Sequence, residues 1–280
     1  MRELNTDLIR DQIASMCMEA NYSLSDDMLM KLDQAEKMEE SELGQKILSD
    51  LKKNLEIASN DQIPICQDTG MAVVFLEIGQ DLHLTGEYLE DAVNEGVRRG
   101  YVGGYLRKSV VMDPIERLNT NDNTPAILHT KIVKGDKVKI TVAPKGFGSE
   151  NMSRIFMLKP AEGLDGVKNA ILTAVKDAGP NACPPMVVGV GIGGDFEKAA
   201  EMAKEALTRE EEPLKQKKWV KELEKEMLQR INDLGIGPAG LGGRITALAV
   251  HVNTYPTHIA GLPVAVNICC HVNRHVSRIL

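Results

Sequence analysis

Across residues 6–58 the apolar positions fall three and four apart, the spacing that gathers side chains on one face of a helix. Leu8, Ile9, Ile13 and Met16 make one such stripe, with Cys17 on it as core filler; Met28, Leu32 and Ala35 make another. Ser25, followed by two aspartates, is suited to be an N-cap. The segment reads as two or three amphipathic helices, a leader over residues 1–60 packing on a sheet. At Met71–Ile78 the pattern becomes a continuous apolar run, as in a strand buried on both faces. Leu89, Ala92, Val93 and Val97 restore the helical spacing from 87 to 99, and Gly100 supplies a stop signal.

Ile127–Val133 and Val138–Ala143 alternate apolar and polar residues about Lys134-Gly135-Asp136-Lys137, the signature of a β-hairpin. Leu164, Val167, Ile171, Ala174 and Val175 predict another helix, ended by Gly179-Pro180. A short strand at Met186–Val190 runs into Gly191-Ile192-Gly193-Gly194, and a helix follows over 196–207. Residues 209–228 are mostly Lys and Glu, with Trp219, Leu223 and Met227 at helical spacing, as in a solvated helix. Strands are expected at Ile245–Val250 and Leu262–Ile268, with no closing helix of ordinary length. The fold class predicted is α/β of mixed α+β character. Mixed sheets with a hairpin are flanked by helices, behind an N-terminal helical segment, in a single domain over 1–280.

Composition narrows the options. Hydrophobic residues make up 43% but aromatics only 4%, so the core must be built from aliphatic side chains, Ala and the 13 Met. A formal net charge of −7 argues against nucleic acid or an anionic membrane as partner. An acidic small molecule would then need locally placed Arg, Lys or backbone N–H groups. The N-terminal residues mix charge with apolar side chains and lack the apolar stretch of a signal peptide. No run is long and apolar enough to span a bilayer. Five cysteines (17, 66, 183, 269 and 270), odd in number and scattered apart from one adjacent pair, fit a reducing cytoplasm and thiols that are free or metal-bound.

Several stretches have chemistry to offer. Gly189-Val190-Gly191-Ile192-Gly193-Gly194 fits G-x-G-x-x-G between a strand and a helix. The acidic residues that follow, Glu210 to Glu212, lie in a charged helical run instead of at a strand end where they could meet a ribose. A glycine-rich turn that lets backbone approach a cofactor or substrate is the better expectation. Cys66, Cys183 and Cys270 lack the paired C-x-x-C spacing of structural zinc sites, which leaves open a catalytic metal with scattered ligands, or a nucleophilic cysteine with His258 or His271 as base.

The surroundings of the cysteines discriminate further. Cys66 lies in Pro64-Ile65-Cys66-Gln67-Asp68-Thr69-Gly70, and Cys183 in Pro180-Asn181-Ala182-Cys183-Pro184-Pro185. Cys270 ends the run from Thr257-His258 to Cys269-Cys270-His271, while Lys145-Gly146-Phe147-Gly148-Ser149-Glu150-Asn151 adds a glycine turn with a helix-capping Ser-Glu. In this order the four stretches resemble the iron–sulfur hydro-lyases, the class I fumarate hydratases and L-tartrate dehydratases. The likeness runs over essentially the whole chain and is to the N-terminal, cluster-binding part, in many organisms a separate alpha subunit.

The resemblance implies that Cys66, Cys183 and Cys270 hold a [4Fe–4S] cluster with one iron left open as a Lewis acid. It implies that Gln67 and Asp68 face the substrate, that Arg107 clamps a carboxylate, that N–H groups around Gly148 bind carboxylate oxygen and that His258 hydrogen-bonds substrate. Asp68 is the choice for proton transfer on the hydroxyl side; the carbon-acid base is expected on a separate beta subunit. The activity implied is hydration of fumarate, with L-tartrate dehydration as the alternative and a non-catalytic iron–sulfur sensor as a remoter one. Taken singly, Arg107 reads as a surface arginine, His258 as a loop cap and Asp68 as the cap of an Asx-turn at Gly70. The adjacent Cys269 leaves the third ligand ambiguous by one residue; Cys270 is preferred because of its distance from His258 and because His271 follows it.

Overall fold

The computed structural model describes residues 2–209 and 216–280. In chain order the elements are β1 (Arg2–Asn5), α1 (Thr6–Tyr22), α2 (Asp26–Met38), α3 (Glu42–Asp61), β2 (Met71–Gly79), β3 (Leu82–Thr85), α4 (Leu89–Gly103), β4 (Ile127–Val133), β5 (Val138–Lys145), α5 (Phe147–Glu150) and β6 (Arg154–Leu158). There follow α6 (Gly163–Ala178), β7 (Met186–Gly194), α7 (Phe196–Ala206), α8 (Lys218–Asn232), β8 (Ala247–Thr257), β9 (Leu262–Cys269) and β10 (Val276–Ile279). The mixed α/β class is as expected. The charged helix is α8; Glu210 to Glu212 lie outside the described residues. No helix among those described is long and apolar enough to cross a membrane. The chain divides into two compact units. The first takes Met1–Ser25, Asn54–Phe147 and Arg274–Leu280; the second takes Asp26–Lys53 and Gly148–Asn273.

In the first unit a four-stranded sheet runs β10-β5-β2-β4, and β1 pairs in parallel with β3. Of the stripe expected on α1, Leu8 is exposed, while Ile9, Ile13, Met16 and Cys17 are buried and pack with Val93, Val97 and Tyr101 of α4 over Val74 and Leu76 of β2 and Ile140 and Val142 of β5. The strands 127–133 and 138–143 both form, but they are not a hairpin. β4 pairs in parallel with β2, β5 pairs antiparallel with β2, and β2 lies between them. The alternation identified two strands, β4 largely exposed and β5 largely buried, and carried no information about their neighbours. β2, apolar on both faces, demands a central place with a partner on each side. Residues 134–137 cross its end, where the N–H groups of Gly79 and Gln80 donate to Lys137 O and Val133 O, both at 2.8 Å.

In the second unit the sheet order is β6-β9-β7-β8, with β7 and β8 parallel and β9 antiparallel to β7. Successive strand residues point to opposite faces, and here each face is covered by helix. Val264, Val266 and Ile268 of β9 join Val188 and Val190 of β7 in a core with α6 and α8, while Ala265 packs with Ala199 and Ala203 of α7. The G-x-G-x-x-G run therefore has a different use from the turn expected. Its glycines lie within β7, and the first two, Gly189 and Gly191, face α7. A Cβ at Gly189 would lie 2.2 Å from Ala203 O, and one at Gly191 would lie 2.1 Å from Ala199 O, so what approaches the glycine backbone is the helix.

Candidate functional site

In the first unit the stretch from Cys66 to Gly70 leaves a buried anchor, Ile65, and ends in the buried start of β2. Ile65 N–H donates to Asn21 O, and Ile65 O accepts from Asn54 Nδ2, each at 2.9 Å. Cys66 is half-buried, and its Sγ receives the N–H of Asp68 at 3.4 Å. Gln67 is exposed. Asp68 Oδ1 accepts from Gly70 N–H at 3.0 Å, the Asx-turn geometry, while Oδ2 accepts from Phe147 N–H at 2.9 Å. Arg107 is exposed and its guanidinium has no hydrogen-bond or ion-pair partner among the described residues, while its carbonyl accepts from the Thr69 hydroxyl at 3.1 Å.

Three buried side chains brace this loop from behind. Tyr101 donates to Thr69 O at 2.8 Å, with Gly70 O at 3.0 Å beside it; burial pushes its phenol well above the usual range. Asn123 Nδ2 donates to Gly70 O at 3.1 Å. Arg274, 5% exposed, donates from Nη2 to Asp68 O and from Nε to Pro144 O at 3.3 Å. Sequence reasoning missed all three. Tyr101 is one of only five tyrosines, and Arg274 lies three residues past His271 of a cysteine motif, but neither carries a local signature.

The second unit holds the other two thiols of interest. Cys183 caps a 3-10 turn over Gly179–Ala182 in left-handed backbone (φ 51°) and is exposed. Its carbonyl receives N–H and faces Nδ1 of His271, at 3.4 and 3.1 Å, so the stretches around Cys183 and Cys270 are brought together. Cys269 is buried in β9, opposite Val187; Cys270, just past the strand, is half-buried. Gly148 is exposed, and a Cβ there would find only Asn181 O, 4.0 Å away, so its outer face is open. His258 is exposed at the end of β8. Its Nδ1 accepts from Ala260 N–H at 3.1 Å, which leaves the proton of a neutral ring on Nε2.

The five cysteines thus fall into two classes. Cys17 and Cys269 are buried, and burial pushes the Cys17 thiol up to about 12, where it stays protonated. Cys66, Cys183 and Cys270 lie outside the cores, one in the first unit and two in the second. Within each unit, among the described residues, no three His, Cys, Asp or Glu side chains gather as an ion-binding set. Each of these three thiols is, taken by itself, of the donor type that iron–sulfur clusters take.

The family model described as Fumarate hydratase (Fumerase) matches residues 10–278. The putative L(+)-tartrate dehydratase subunit alpha of Methanocaldococcus jannaschii is 39% identical over 273 residues, which cover 95% of each chain. The L(+)-tartrate dehydratase subunit alpha of Escherichia coli K12 is 32% identical over 255 residues, 90% of this chain and 84% of that one. The subunit of the same description from Shigella boydii gives the same figures.

Proposed function

Because the chain belongs to the iron–sulfur, class I family of fumarate hydratases and L-tartrate dehydratases, as an alpha subunit, we propose that it forms the cluster-binding half of a hydro-lyase for a four-carbon dicarboxylate. The observation that carries this reading is the division of the cysteines: the three that the motifs single out lie outside the cores, and the other two are buried. The family resemblance put fumarate first; the names of the relatives favour L(+)-tartrate, which becomes the first substrate to test. Fumarate and malate follow, on the strength of the family model's own description.

Cys66, Cys183 and Cys270 would hold a [4Fe–4S] cluster, which when bound supplies an open iron as Lewis acid for the hydroxyl that leaves. Arg107, exposed and unpartnered, suits bidentate recognition of a substrate carboxylate. Gln67 and the N–H groups at Gly148 offer further hydrogen bonds, and His258 can donate from Nε2 to a substrate oxygen. Asp68 is the group for proton transfer on the hydroxyl side, held in place through both carboxylate oxygens. The proton on carbon, beside a carboxylate, needs a base that these residues do not supply; a beta subunit would bring it.

The deciding experiment is anaerobic co-expression with the beta subunit, reconstitution with iron and sulfide, and assay against L(+)-tartrate, malate and fumarate. Turnover of none of these by a fully loaded pair would overturn the reading. Cys270→Ala should lose iron while Cys269→Ala retains it; the reverse result would move the third ligand to Cys269.

A further inference from the structure

The glycine-rich stretch 235–245 and the connection from α2 to α3 have no part in the proposed chemistry, yet they meet at one buried carboxylate. Glu39 is 2% exposed. Its Oε1 accepts the N–H groups of Glu40, Ser41 and Arg244, each at 2.9 Å, and its Oε2 accepts that of Ile245 at 2.7 Å. The Arg244 guanidinium turns away to Glu40, at 3.1 Å. Burial alone would push the Glu39 carboxyl up; the N–H groups of Ser41, Ile245, Arg244 and Glu40 outweigh it and hold the group below the usual carboxylate range. Gly243, at φ +117°, is where the approach is closest: a Cβ there would lie 2.6 Å from Oε1.

The far side of the same stretch holds the segment around Cys183. Ala239 N–H donates to Pro184 O at 2.8 Å, and Met186 N–H donates to Thr246 O at 2.8 Å. The Thr246 hydroxyl in turn accepts from Gly237 N–H at 3.2 Å. A Cβ on Gly240 would lie 2.3 Å from Pro180 Cβ, so the two backbones touch there. The stretch therefore grips the chain both before and after the cysteine.

We propose that Glu39 is a positioning residue for Cys183: it anchors Arg244 and Ile245, the anchor fixes residues 235–246, and these hold Pro180 and Pro184 on either side of the thiol. The inference rests on the reading of Cys183 as a cluster ligand. The carboxylate is suited to this because it accepts only, and four backbone N–H groups need acceptors at one buried point. Glutamine, of nearly the same shape, would set an NH2 against one group of these donors and leave them unsatisfied.

The test is residue-resolved hydrogen exchange of the cluster-free chain at neutral pH. In Glu39→Gln, the amides of Cys183, Met186 and Ala239, which donate to Pro180 O, Thr246 O and Pro184 O, should exchange about tenfold faster than in wild type, the consequence of losing one buried hydrogen bond. The amide of Ile268 in β9, in the same unit, should keep its wild-type rate, and reconstitution should leave the variant with less iron and altered visible absorbance. A folded variant whose Cys183, Met186 and Ala239 amides stay within about twofold of wild type overturns the proposal, as does acceleration of Ile268 alongside them, which signals general loosening. Should Glu39→Gln not fold, exchange in the wild type decides. The amides of Ala239, Arg244 and Ile245 should open at one common rate, and much faster exchange of Arg244 and Ile245 than of Ala239 would refute a shared clamp. A failure of the ligand reading looks different: Cys183→Ala would load iron fully, whatever the exchange rates.

Discussion

Both carboxylate oxygens of Asp68 accept backbone N–H groups, so one side chain holds a turn and, in the proposed reaction, carries a proton. Each oxygen keeps a second lone pair, which makes the two tasks compatible. Asp68→Asn separates them, because the amide oxygen can still cap a turn but cannot take up a proton. Its kcat should fall about a hundredfold to ten-thousandfold, with iron content unchanged. Turnover at the wild-type rate would leave Asp68 with the turn alone. Asp122 offers a residue-scale test by pH. Burial raises its carboxyl, but the Thr124 hydroxyl and N–H, Arg98 and Thr120 outweigh this and hold it at about 2. An unfolded aspartate titrates near about 3.9, so the stabilisation is complete above that pH and is lost as pH falls towards the folded value. The gap in urea midpoint between wild type and Asp122→Asn should be widest at neutral pH and shrink under acid. At this scale the sequence exposed the groups that stand in a motif, Cys66, Asp68 and Cys183. It hid Tyr101, Arg274 and Glu39, whose effect depends on burial and on partners far along the chain.

Periodicity placed the main helices and strands to within a few residues, because burial of one face is written locally in the spacing of apolar side chains. Pairing is not local, and there the reading failed: β2 separates β4 from β5. The short strands β1, β3, β6 and β10 also escaped, having too few residues to show a period. The β7–α7 contact is the clearest element-scale case for a test. Gly191→Ala would drive a Cβ to 2.1 Å from Ala199 O, and a backbone oxygen cannot step aside as a flexible side chain can. The helix must move off the strand, at a cost on the order of 3 kcal/mol. Chemical denaturation should show it as a drop in midpoint, and an unchanged midpoint would mean that α7 sits further from β7 than described.

For the whole molecule the useful sequence signal was the order of four motifs along the chain, which no single element contains. The substrate was not legible, since fumarate and tartrate differ by groups that a few side chains discriminate and no motif here encodes. The alpha-subunit family implies a second polypeptide, and the reading proposed here has one carboxylate clamp, Arg107, for a substrate with two carboxylates. Loaded with iron and assayed alone, it should therefore show no turnover above background, and addition of the beta subunit should restore activity. Full activity in the isolated chain would place a complete site within these residues.

The edge strand β10 pairs with β5, yet it follows the second unit in the chain. On a ribosome adding about 5–20 residues per second, the edge of β5 stays unpaired for on the order of ten seconds while residues 148–273 emerge. Such an edge is a template for wrong partners. Arg274, whose guanidinium braces Asp68, arrives at the same late moment. The brace behind Asp68 is thus set only after residues 274–280 have emerged, long after the loop that it holds.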